Sequence, residues 1–130
     1  MRGCVTVSQV TAGRKNSIRF EVAGSRSALA WDGEAPNTLH VGYRNRANEA
    51  AIRDPALLSA TARSFADYPG GHAEGFPDTF KQLFRAVYAD IAAGRKSPAP
   101  LYATFADGHR EVLLCEAILR SHRENRWVVL

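Results

Sequence analysis

The sequence has 130 residues, a length that bounds one domain and suffices for a hydrophobic core without disulfides or a metal. Hydrophobic residues make up 45% and charged residues 23%, which excludes disorder over most of the chain, and no apolar run nears the roughly 20 residues of a membrane helix. The formal net charge is +4, but Arg14, Arg26, Arg53, Arg85, Arg110 and Arg126 are scattered among acids such as Glu21, Asp54, Glu111 and Glu124, so the charge reads as a solvated surface with no nucleic-acid partner.

The N-terminus carries a charge at Arg2, but Ser8, Gln9 and Thr11 interrupt any apolar core, so no secretory signal is read there. Cys4 and Cys115 form neither a disulfide framework nor a Cys-x-x-Cys pair, and they read as free thiols of a cytoplasmic protein.

In chain order, Val5 and Val7 alternate with Thr6 and Ser8, the period-two pattern of a half-buried strand. Ile18, Phe20 and Val22 repeat it against Arg19, Glu21 and Ala23. Gly24-Ser25-Arg26 then turns the chain so that Ala28 to Trp31 returns antiparallel. Pro36-Asn37 precedes a further alternation through Leu39, Val41 and Tyr43, and a shorter strand is expected at Ala50 to Arg53, stopped by Asp54-Pro55. Short connections make the sheet antiparallel, because parallel neighbours need long crossovers.

The second half is helical. Phe80, Leu83, Phe84, Val87, Tyr88 and Ile91 form a continuous helical stripe, with Pro77 and Asp78 suited to its start and Gly94 to its end. Ser97-Pro98-Ala99-Pro100 is a stiff link to a second helix, capped by Asp107, with Val112, Cys115, Ile118 and Leu119 on one side. Trp127 to Leu130 is a β-prone tail. The expected fold is α+β: an antiparallel sheet of about five or six strands in the first half, with two helices, about 77–93 and 107–123, packed on one face, all in a single domain over 1–130.

The long irregular stretch Ser59 to Gly75 is the most site-like segment. Its end, Tyr68-Pro69-Gly70-Gly71-His72-Ala73-Glu74-Gly75, leads into a helix N-terminus, where backbone N–H groups hold anions and His72 could move a proton. The competing reading is a solvated turn. A second polar turn, Thr11 to Asn16, offers Arg14, Lys15 and Asn16 to hydroxyls, carboxylate or phosphate, against the competing reading of a charged hairpin loop. Gly94-Arg95-Lys96-Ser97 lacks the earlier glycine of a phosphate loop and reads as a basic helix end. His40, His109 and His122 make no metal set, and no nucleophile elbow is present.

Several ordered segments resemble the C-terminal domain of Gfo/Idh/MocA oxidoreductases: Val5 to Asn16, Glu21 to Ser25, Gly70 to Phe80, and Thr104 through Ser121 to Val128. The resemblance implies a two-domain enzyme in which an N-terminal Rossmann domain holds NAD or NADP and a C-terminal α+β domain offers an open sheet, with hydride passing between nicotinamide and a sugar or inositol carbon. It also implies catalytic groups, a lysine in Glu-Lys-Pro and a histidine early in the second domain, that have no counterpart here, and this chain contains no Gly-x-Gly-x-x-Gly. The start at Met1-Arg2-Gly3 therefore reads as imposed by truncation, by a misplaced start or by gene decay, with no catalytic, cofactor-binding or metal residue expected in this chain. What the resemblance carries over is Arg14, Lys15, Asn16, His72 and Glu74 as substrate-pocket candidates, a sugar ligand, and a homo-oligomer formed through the open sheet face. Three readings result: an oxidoreductase fragment inactive alone, an assembly module, or a carbohydrate- or anion-binding domain working through Gly70 to Asp78.

Overall fold

A computed structural model describes residues 2–130 of the chain. Met1, named above with Arg2 and Gly3, lies outside the described residues. Two units make up the chain, one ending at Asp78 and the other running from Thr79 to Leu130.

The first unit is built on a sheet of four strands in the order of the sequence: β1 (Arg19–Ala23), β2 (Ser27–Asp32), β3 (Thr38–Tyr43) and β4 (Glu49–Ile52). Every pairing is antiparallel. The turn after β1 is closed by the Gly24 amide donating to the Ser27 carbonyl at 2.8 Å, as the Gly-Ser-Arg sequence predicts. Register then decides which side chains share a face. Phe20 lies opposite Trp31 and Val22 opposite Leu29. Leu29 in turn faces Val41, and Trp31 faces Leu39. The alternation read from the sequence thus becomes one continuous apolar face, on which the Phe20 and Trp31 rings stack with centroids 5.3 Å apart. Phe20, Val22 and Leu29 are 51%, 55% and 39% exposed, so the β1 side of that face is open.

The expected five or six strands are corrected to four among the described residues. Val5 and Val7 keep the pattern of a strand, but the segment stays irregular, and Val5, Val7 and Val10 are almost wholly exposed. A period-two pattern forms a strand only when an edge binds its backbone groups. The Trp127–Leu130 tail is irregular for the same reason. Asp54 caps a 3-10 turn at Pro55–Leu57, just before the stretch expected to be irregular, and within that stretch Ser59 caps a four-residue helix α1, Ala60–Arg63.

Helix α2 spans Phe76–Ala92 and α3 spans Phe105–Glu124, close to the expected limits. Asp78 accepts from the Gly75 amide at 2.9 Å at the start of α2, and Gly94, at φ +63°, ends the segment in the left-handed region. The cap of α3 is corrected: Thr104, not Asp107, occupies the cap position, and Asp107 reaches back to the Thr104 amide in a capping box. The misplacement has a simple cause, because Thr and Asp are both good caps and only the three-residue spacing between them separates their roles.

Apolar cover on the helices is partial. Ala117 on α3 is the one buried apolar residue among the described residues, and Gln82 on α2 is the buried polar one. The Gln82 carbonyl accepts from Arg85 at 3.2 Å, while its Nε2 has no partner among the described residues. Cys4 and Cys115 are free and exposed, and no helix among the described residues is long and apolar enough to cross a membrane.

Candidate functional site

Two clusters in the first unit hold the sequence-predicted residues, and they differ in character. The first surrounds the turn at residues 11–17. The Ser8 hydroxyl accepts from the Val10 amide at 3.3 Å and from the Thr11 hydroxyl at 2.8 Å, and the Arg14 amide closes the turn onto the Thr11 carbonyl at 3.3 Å. These local bonds replace the ladder that a strand would have supplied.

The result is a cleft of about 500 Å³ against the start of β1. Arg14, Lys15 and Arg19 line it with the hydroxyl side chains of Thr6, Ser8 and Ser17, and none of the residues lining it is acidic. Asn16 belongs to the same turn but does not line the cleft. The two arginines are fixed by acids outside the lining. Arg14 pairs with Glu34 at 3.3 Å, while Arg19 reaches Asp32 at 2.6 Å and Glu34 at 3.4 Å. The Glu34 amide donates to the Asp32 carboxylate at 3.0 Å, and this bond, followed by the Arg19 guanidinium, holds the Asp32 carboxyl below its ordinary value. Chemically, the cleft presents cations and hydroxyls to anything that enters it.

The second cluster is centred on Arg53 at the end of β4. Its guanidinium pairs with Glu74 at 2.8 Å, its Nε donates to the Asn37 side chain at 3.2 Å, and its remaining N–H groups reach the carbonyls of Tyr68 and His72. Asn37 adds a bond from its own amide to the His72 carbonyl at 3.2 Å and accepts from the Glu74 amide at 3.4 Å. Glu74 completes the ring by accepting from the Asp67 amide at 2.8 Å. One cation thereby gathers the carbonyls of a loop that has no strand or helix to satisfy them.

His72 and Glu74, the two pocket candidates of this loop, come together by different atoms. Both Glu74 oxygens are engaged inside the protein, whereas His72 contributes its backbone carbonyl and keeps its ring exposed, with Nδ1 3.4 Å from the Gly70 carbonyl. Among the described residues, no hydrogen bond or ion pair joins His72 or Glu74 to Arg14 or Lys15. Sequence reasoning missed Arg53, Asn37 and Arg19. Arg53 and Asn37 carry no local signal, because their partners lie 15 to 37 residues away. Arg19 did carry one: its alternation with Phe20 puts it on the polar face, next to the basic turn.

The described residues contain no doubly wound unit of the kind that holds a dinucleotide. A site of that kind needs a parallel strand-helix-strand unit with a glycine turn at the helix start, and every pairing here is antiparallel. Nor do three His, Cys, Asp or Glu side chains gather as metal ligands among the described residues.

Among known proteins, a family model described as "Oxidoreductase family, C-terminal alpha/beta domain" matches residues 1–130. Of solved structures, an oxidoreductase from Sinorhizobium meliloti aligns over 91% of this chain and 33% of its own, at 30% identity and TM-score 0.82. An inositol dehydrogenase homologue from Azotobacter vinelandii, complexed with NADH and myo-inositol, aligns over 70% of this chain and 27% of its own, at 27% identity and TM-score 0.56. An oxidoreductase from Pseudomonas syringae aligns over 66% and 24%, at 28% identity and TM-score 0.60. The chain thus spans a third or less of the length of these proteins. No curated protein matches it.

Proposed function

The chain belongs to the Gfo/Idh/MocA oxidoreductase family, as its C-terminal alpha/beta domain, and from that premise we propose that it is the substrate-side part of an NAD(P)-dependent enzyme acting on sugars or related polyols, inactive by itself. The observation that carries this reading is the likeness to a homologue whose structure holds both NADH and myo-inositol, of which the chain covers only 27%. The cofactor is assigned to the part of such an enzyme that lies beyond this chain, in keeping with the antiparallel sheet. The residues that would meet the substrate are Arg14 and Lys15 in the cleft. Two exposed thiols suit a reducing compartment, so the cytoplasm is the proposed location.

Fluorescence titration with NADH tests the cofactor half of the proposal. The expected result is no saturable binding, and clear micromolar affinity overturns it. The substrate half is tested by following the amide signals of residues 11–17 by NMR as myo-inositol is added. Shifts confined to that turn support it, and an unchanged spectrum counts against it.

A second reading, a module that assembles with a second copy of itself, is favoured by the open apolar face at Phe20, Val22 and Leu29. An apolar face of this kind draws association. Sedimentation at micromolar concentration gives a dimer or larger species if this reading holds, and a clean monomer if it fails.

A further inference from the structure

We propose that the cleft at Arg14, Lys15 and Arg19 selects a polyhydroxylated anion, a sugar carrying a carboxylate or a phosphate, over a neutral sugar. This deepens the proposed function and rests on the cleft being its substrate side.

The charge balance of the site comes first. Three cations line the cleft, and the two acids that hold the arginines, Asp32 and Glu34, are not among its lining residues. Lys15 has neither an ion pair nor a hydrogen bond among the described residues, so the site carries one uncompensated positive charge.

Preorganisation comes next. Arg14 and Arg19 share a single Glu34 oxygen, at 3.3 and 3.4 Å, which pins two guanidinium groups side by side at one wall of the cleft. Each guanidinium offers five N–H donors in a fixed fork, and these carboxylate contacts use only some of them. The rest suit the oxygens of a carboxylate or phosphate, where charge-assisted bonds are about twice as strong as neutral ones.

The remaining lining is suited to hydroxyls. Thr6, Ser8 and Ser17 each donate one hydrogen bond and accept others, the complement of a sugar ring. A volume of about 500 Å³ accommodates a monosaccharide and falls within the usual range for small-molecule sites. A neutral sugar would satisfy the hydroxyls and leave the Lys15 charge unanswered. A bare phosphate would answer the charge and leave most of the hydroxyl wall unused.

The test is an NMR titration of the full chain, at low salt, with D-glucuronate, glucose-6-phosphate, glucose and inorganic phosphate in parallel. The expected result is that at least one sugar anion binds about tenfold more tightly than glucose, through shifts at residues 11–19, and that added salt weakens it. Whichever of the two sugar anions binds better identifies the anionic group. Lys15→Glu should remove the preference for the anion with the circular dichroism spectrum unchanged, and Lys15→Ala should reduce it.

Glucose binding as well as glucuronate overturns the inference and leaves the sugar-site reading intact. Phosphate binding as tightly as both sugar anions shows a bare anion cradle and overturns the sugar part. If none of the four binds, the cleft fails as a substrate side altogether, whereas the NADH titration decides the cofactor half by itself.

Discussion

Arg53 and Glu74 lie 2.8 Å apart with only 15% and 9% of their side chains exposed, an ion pair largely withdrawn from water. They close the loop between α1 and α2 onto the end of β4. Because the two groups have surrendered much of their hydration, the pair holds only while both members and their hydrogen bonds are present.

Removing either partner should therefore destabilise the first unit more than any surface exchange. Glu74→Ala leaves a shielded guanidinium and costs about 3 kcal/mol. Arg53→Ala costs more, since it also removes the bonds to the Asn37 side chain and to the carbonyls of Tyr68 and His72. Urea unfolding of the two variants and the double variant checks the order. Losses no larger than those of a surface substitution would refute the clamp.

The Asp90 carboxylate organises the segment after α2. It accepts from the Ser97 amide at 2.8 Å and the Tyr102 hydroxyl at 2.7 Å, and these bonds, the amide first, hold its carboxyl below the ordinary 3.8. A folded value below the unfolded one stabilises the fold above pH 3.8 and is lost as pH falls through the folded value. Tyr102 is shifted the other way, raised above 10.0 chiefly by the bond to Asp90, so its contribution is complete below pH 10.0 and is lost as pH rises through its folded value. Asp90→Asn should abolish the acid transition of this segment and bring Tyr102 closer to its ordinary titration. Carboxyl NMR and tyrosinate absorbance report the two effects, and an unmoved Tyr102 would contradict the pairing.

At the start of α3 the Thr104 hydroxyl accepts from the Asp107 amide at 3.4 Å while the Asp107 carboxylate takes the Thr104 amide at 2.7 Å. Thr104→Ala should lower stability by about 1 kcal/mol, and Thr104→Ser should largely restore it. Thermal melts of the three proteins decide the matter. Equal midpoints for wild type and Thr104→Ala would show the cap to be idle.

Gly33 admits no side chain without movement. A Cβ there would come within 2.8 Å of the Ile18 side chain and 3.2 Å of the Ile18 carbonyl, which already accepts from the Gly33 amide at 2.9 Å. Gly33→Ala should cost about 1–2 kcal/mol by forcing the approach to β1 away from the end of β2. An alanine variant as stable as the parent would show that the approach relaxes freely.

How much of this could be read beforehand follows from how local each cause is. The helix of Phe76–Ala92 was legible because its stripe and terminal signals lie within one segment. The β1–β2 hairpin was legible because its turn and both alternations are contiguous. Val5 and Val7 misled, since a strand needs a partner's backbone and a side-chain pattern cannot say whether one exists. The loop cluster was half legible: glycines and acids flagged Gly70 to Asp78, but the roles inside it depend on Arg53 and Asn37, distant residues that the sequence presents as an ordinary strand end and a turn. In the basic turn, Arg14 and Lys15 were found by composition, while the part played by Arg19 required knowing which way β1 faces.

Strand order that repeats chain order also governs kinetics. Each strand of β1-β2-β3-β4 pairs with the next to be synthesised, so closing each pair spans only a short loop. Sheets assembled from such neighbours form rapidly, because little chain entropy is lost before the first contacts reward it. The meander can therefore zip progressively as the polypeptide leaves the ribosome, before the residues of α2 and α3 have emerged.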